Sequence, residues 1–512
     1  MTKIGKCLLS FFLLSALCST AVHGQTVNAA SCNLTDVQAA LKKVTADGAI
    51  VNIPSGTCTW TSTLAYTATH SLVILGAGTT VGSDSLGNPT GYNDQTVIID
   101  SASPQHALQV TTASGKAFRM SGVTFKGGSG PTGFNGTVSI NGYSQSVRVD
   151  HNHFYNLTDL SIGFYGWEYG VVDHNLFDIL GNTANNGVRV EHANWNNGIN
   201  GDASWADEHC LGTNQAIYVE NNTFSFPNGN GAGYANDADN GSHIVFRYNT
   251  MNNVYFQVHD QTNDNRGPRA FEFYKNVSKY TGNAGGAAPA LAIRGGTGLV
   301  WGNTVTGFNG LIAMWSDRAS ANVGQYSPPN GWGYCGTQYN SHGPSAWDQS
   351  SSNSGYACID QVGRGKGNLL TGVFPNKVNS VTNAIAWPNQ AIEPLYEWLD
   401  ANSMGSMASS EQPDVIKQNR DFYVASQTFN GTNGTGIGLL SARPSTCAAG
   451  PGGNTNGVAY WATDTNTLYV CNPTNTWSNY YTPYTYPHPL TNAISGSGTP
   501  PAAPTNLAAT VQ

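Results

Sequence analysis

Six asparagines keep register through the middle of this 512-residue chain: Asn152, Asn175, Asn222, Asn249, Asn276 and Asn303. The steps between them are 23, 47, 27, 27 and 27 residues, and 47 is close to two of the shorter steps. Each closes a short segment in which apolar and polar residues alternate, as in VRVDHNHF, GVVDHNLF and IYVENNTF. Alternation with a period of two marks a strand. A fixed repeat length in the twenties marks a solenoid of stacked coils. Together they predict an all-β chain wound as a β-helix, with the asparagines stacked along one turn as a structural ladder.

The flanks read differently. Residues 1–24 place Lys3 and Lys6 before the apolar run CLLSFFLLSALC and end in small residues, which predicts a secretory signal peptide. No later stretch is long and apolar enough to span a bilayer, so a secreted or cell-surface protein without membrane insertion is expected. Cys32 and Cys58, Cys335 and Cys358, and Cys447 and Cys471 fall into three local pairs suited to disulfides, leaving Cys210 over. Charged residues are only 10% of the chain and the formal net charge is −8, which argues against a nucleic-acid partner. A neutral polar surface with 24 Tyr and 12 Trp suits carbohydrate, although aromatics in core and turns would give the same composition.

Asn33 to Val44 carries Val37, Ala40, Leu41 and Val44 at helical spacing, with Asn33 as N-cap and Asp36 three residues on. It predicts a helix that caps the first coil. The β-helix is expected over 25–405, with a short helix near Glu393–Leu399. A small β-rich cap closed by Cys447–Cys471 follows over 406–490, and then a linker over 491–512. Its last letters, PAAPTNLAATVQ, resemble the first strand of a fibronectin type III module.

The cap helix, DGAIVNIPSGTCTW, the LVILGAG strand and the Asn-bearing coils together resemble the pectate-lyase-like superfamily of right-handed parallel β-helices, over about residues 28–320. The resemblance implies that fold. It says less about reaction, because the fold hosts lyases, hydrolases, esterases, tailspikes and adhesins. NRGPRAF (265–271) is similar to the Arg-x-Pro-x-x-Arg element of one pectate lyase family, which implies a basic role for Arg266; the second Arg of that element falls at Phe271. The VDH tripeptides at Asp150–His151 and Asp173–His174 are also similar to that family. Its full set of calcium-binding aspartates is missing, so calcium is left open and no other cofactor is implied.

A second strand in each coil should form a separate wall. The segments VSINGY, LSIGFYG, VRVEHAN, FQVHDQ, LAIRGG and IAMWSD align on the inward residues Ile140, Ile162, Val190, Val258, Ile293 and Met314. The next residues, Asn141, Gly163, Glu191, His259, Arg294 and Trp315, then face outward. For the coil after Asn222, GAGYAN (231–236) is the expected member. Arg189 and Gln257 share the outward side, and the loop Asp260–Arg269 brings Arg266 and Arg269 beside His259.

This column suggests an acidic-sugar site. β-Elimination from a uronic acid needs its carboxylate neutralised and its C5 proton removed. Arg294, Arg189 and Arg269 suit the first task; His259, or Arg266, suits the second. Trp315 and Tyr165 could stack on sugar rings, with Asp260 at the rim. Hydrolysis instead needs two carboxyl groups in one cleft, and Glu191 has only Asp260 as a candidate partner, one step out of phase. The expected function is therefore that of a polysaccharide lyase working as a monomer on an acidic glycan. A glycoside hydrolase and a non-catalytic glycan-binding adhesin are the alternatives.

Overall fold

The computed structural model describes residues 24–130, 136–179, 187–192, 208–226, 233–259, 267–282, 289–316, 351–352, 355–356, 361–365, 391–402, 408–410, 413 and 416–492. Over these residues the chain is a parallel β-helix with three walls. One wall is a sheet of 12 strands running from Thr26–Asn28 to Phe422–Tyr423, and a second has 10 strands from Gly56–Trp60 to Ala401–Asn402. The third wall comes in two stretches, of six strands from Leu64–Thr67 to Asn236–Asp239 and of five from Gly233–Tyr234 to Ala408–Ser410. Inward positions carry the apolar half of each alternation. Phe125, Phe154, Phe177 and Phe224 stack ring on ring inside, with centroids 4.4 to 5.9 Å apart. The expected helix forms at Leu34–Leu41 and buries Val37, Ala40 and Leu41 over the first coil, although the Asn33 side chain makes no capping bond.

The asparagine ladder forms as expected and has a direction. The backbone N–H of Asn152, Asn175, Asn222, Asn249 and Asn276 each donates to the side-chain oxygen one rung on, at 2.9 to 3.0 Å. Each side-chain amide donates to that oxygen too, and to a carbonyl of the preceding coil. The residue before each ladder position takes a positive φ: His151, His174, Asn221, Tyr248, Lys275 and Gly302 all lie between 51° and 65°. A sharp left-handed step there turns the chain from one wall to the next.

The ladder ends on an unexpected residue. Asp400 Oδ1 accepts from Asn303 N at 2.6 Å and from its amide at 2.7 Å. A terminal rung has only to accept, so a carboxyl serves where an amide is needed elsewhere. The short helix expected near Glu393–Leu399 is therefore wrong: Leu395–Trp398 is a strand of the 12-stranded wall, leading into this last rung. All four of its residues are buried, which erases the alternation that would have marked a strand. Trp398 stacks on Trp301 with centroids 5.8 Å apart. Wall strands also continue beyond residue 405, to Tyr423.

The C-terminal region is a small sheet over Thr435–Tyr481 and a tail that lies along the outer face of the 12-stranded wall. Tyr396 Oη donates to Gly457 O, Tyr481 Oη to Glu272, Arg247 to Tyr484 O and Thr485 O, and Arg148 to Leu490 O and Thr491 O. Disulfides join Cys32 to Cys58 and Cys447 to Cys471, as the spacing suggests. Cys210, left over by the spacing, is also disulfide-bonded. The expected signal peptide, the Cys335–Cys358 pair and residues 493–512 lie outside the described residues. Among the described residues, no helix is long and apolar enough to cross a membrane.

Candidate functional site

The site lies on the third wall, where five consecutive coils present polar side chains outward. On Val188–Glu191 the inward residues are Val188 and Val190, leaving Arg189 and Glu191 outside. Its neighbour is Asn236–Asp239, which pairs Arg189 with Asp237 and Glu191 with Asp239. Then comes Val254–Val258, with Val254, Phe256 and Val258 buried and Tyr255, Gln257 and the following His259 outward. His259 N donates to Ala238 O at 2.8 Å, Arg294 N to Val258 O at 3.1 Å and Trp315 N to Ile293 O at 3.2 Å. These backbone bonds stack Asp239, His259, Arg294 and Trp315 on successive rungs, roughly 4.8 Å apart.

The side chains form one connected network. Arg189 binds Glu191 at 2.6 Å, Asp237 at 3.2 Å and Asp239 at 2.8 Å, and Asn240 donates to the other Glu191 oxygen at 3.0 Å. Gln257 donates to Asp237 at 3.2 Å and accepts from Arg294 Nη2 at 3.0 Å. Its amide is thus oriented by a carboxylate on one side and a guanidinium on the other. Arg294 Nη1 meets His259 Nε2. An arginine can only donate, so a hydrogen bond here requires this ring nitrogen as acceptor, which is the neutral tautomer with its proton on Nδ1. The Arg294 guanidinium also lies 4.9 Å from the centre of the Trp315 ring. Burial pushes the Asp239 carboxyl well above the usual range, with Glu191 and Asp237 adding to the effect against Arg189.

Most of the expected residues meet here: Glu191, Arg189, His259, Arg294 and Trp315 share the wall with Tyr165. One register differs. Ile140 pairs with Phe164 rather than Ile162, so Tyr165 takes the place in the outward column expected for Gly163. A two-residue slip preserves the alternation, so sequence alone does not expose it. Arg269, expected to face a ligand, is instead fully buried and paired with Glu393 at 2.8 Å. Asp260 and Arg266 lie outside the described residues. In the coil after Asn222, GAGYAN gives way to Asn236–Asp239 as the strand beside Glu191. Asp237 and Asp239 went unnoticed because that strand turns only Asn236 and Ala238 inward, too little apolar bulk to register. Tyr255 was missed too, although it shares the alternation of Gln257 and His259; its ring packs edge-on against Tyr234, 4.6 Å away. The acidic trio does not fit a calcium ion, because the Arg189 guanidinium already occupies it. Among the described residues no group of three or more His, Cys, Asp or Glu is placed to hold a metal.

Beside the site, Glu168 is buried and accepts from the Thr112 hydroxyl, and burial pushes its carboxyl up to about 8. The folded chain therefore keeps a proton that the unfolded chain releases near pH 4.5. Stability present below that pH is lost as pH rises toward 8, on the order of 4 kcal/mol in all. Glu168→Gln is expected to raise the melting temperature by several degrees at pH 8 and to leave it unchanged at pH 4.5. Thermal scans across that window check it.

No described protein family matches this chain, and no curated protein does. Among solved structures, an alginate lyase from Paenibacillus sp. str. FPU-7 matches with a TM-score of 0.37 and 14% identity, over 58% of this chain and 92% of that one.

Proposed function

We propose that this is a secreted polysaccharide lyase that cleaves a uronate-containing glycan by β-elimination. The observation that carries the reading is the contact of Arg294 with both His259 and Gln257, beside the Trp315 ring. When a uronate enters, its carboxylate takes over the Arg294 donors, and this neutralisation favours the enolate-like state. His259 Nε2, released from Arg294, takes the C5 proton. The C–H electron pair becomes the C4–C5 double bond, the C4–O bond breaks, and the protonated His259 passes the proton to the departing oxygen. Trp315 offers a flat face to the neighbouring sugar.

Hydrolysis gains something from Asp237 and Asp239, which supply the carboxyl partners that Glu191 lacked in sequence. Yet Glu191 and Asp239 are held together by one guanidinium, that of Arg189. That leaves no room for a glycosidic bond between them, which a hydrolytic pair must flank. Incubation with pectate, alginate and glycosaminoglycans separates the readings. A lyase raises ultraviolet absorbance from the unsaturated product, while a hydrolase yields new reducing ends without it. No rise on any uronate polymer sinks the proposal.

A further inference from the structure

The wall that carries the site is divided by charge. Before the Arg189 strand, the paired outward positions are Ala65 and Thr67, Gln109 and Thr111, Ser139 and Asn141, and Gly163 and Tyr165. None is charged. The next rungs carry Arg189 and Glu191, then Asp237 and Asp239, then Gln257 and His259, then Arg294. The uncharged stretch spans roughly 15 Å at the stacking distance of adjacent strands. An open pocket of about 610 Å³ sits on it, lined by Thr111, Ser114, Asn141, Tyr143 and Tyr165 among others. Tyr143 is 41% exposed and gives this pocket an aromatic face.

We infer that the substrate is a mixed polymer in which a uronate is flanked by neutral sugars, with the neutral sugars lying in the Tyr143 pocket. The inference rests on the lyase reading above and narrows it. A polymer with a carboxylate on every sugar would set one against the Glu191, Asp237 and Asp239 rungs, where like charges repel. Others would lie on the uncharged rungs, whose outward positions among the described residues offer no cation. Arg189 offsets one negative charge of this cluster, but its donors are already taken by the three acids, so it offers none to a substrate carboxylate and the cluster stays net negative through Glu191 and Asp237. Arg294 is placed for a single carboxylate, and neutral rings with hydroxyl edges match Thr111, Ser114, Asn141 and the tyrosine faces.

The test is calorimetric titration of the full chain with two probes of equal length. One is an oligosaccharide bearing a single uronate among neutral hexoses; the other is an oligo-uronate. The mixed probe is expected to bind about tenfold tighter, and Tyr143→Ala to lose about that factor. Equal or tighter binding of the oligo-uronate, or indifference to Tyr143→Ala, overturns the inference. Turnover is scored separately by ultraviolet absorbance. Tyr143-dependent binding without unsaturated product from either probe would remove the lyase reading and leave the neutral-sugar pocket standing.

Discussion

His259→Ala is expected to slow turnover of a uronate substrate by roughly a hundred- to ten-thousandfold, with little change in KM. The imidazole Nε2 faces the Arg294 guanidinium, so its loss removes the proposed proton acceptor and leaves the carboxylate-binding group in place. Steady-state kinetics on a polymer that the wild type cleaves measures both constants. A large rise in KM with kcat intact would mean that His259 only binds. Unchanged kinetics together with inactivity of Glu191→Gln would move the chemistry to the acidic trio and favour hydrolysis. Arg294→Gln should differ from His259→Ala in raising KM as well as lowering kcat, because the substrate carboxylate loses its counter-charge.

Asn249→Ala is expected to destabilise the fold by about 4 kcal/mol, among the largest effects of any single polar substitution in this chain. Asn249 is fully buried in mid-ladder. Its amide donates to Val219 O at 2.8 Å and to Asn276 at 3.0 Å, and its oxygen accepts from Asn222 N and from the Asn222 amide. Truncation strands a carbonyl and two donors where water cannot reach. Asn249→Asp should cost nearly as much, since a carboxylate accepts from Asn222 but has nothing to donate to Val219. Chemical denaturation of both variants against wild type gives the values. A loss below about 1 kcal/mol for either would mean that the rungs are not held by their amides.

The solenoid was legible because its determinants are local and repeated. An alternating strand, a left-handed step and an amide recur often enough to be read without any knowledge of contacts. The outward column was legible for the same reason wherever a bulky inward residue fixed the phase, as Val190, Val258 and Ile293 do for Glu191, His259 and Arg294. Where the inward residue is Ala238, the phase was lost, and with it the two aspartates that surround Arg189. Arg269 shows the opposite failure. Adjacency to a charged loop suggested a ligand, but its partner Glu393 is 124 residues away and no local pattern announces the pairing. The last rung was hidden likewise, 97 residues beyond Asn303 and carrying a carboxyl instead of an amide.

Stacks of coils tend to fray, because each layer touches only the layers beside it and the ends can peel away one at a time. Here the polypeptide doubles back lengthwise, fastening the Tyr396 layer, the Glu272 and Arg247 layers and the early Arg148 layer to one continuous strap. The rungs between Arg148 and Tyr396 cannot part without first lifting that strap. Over that stretch, a shape built from independent rungs is made to melt as a unit.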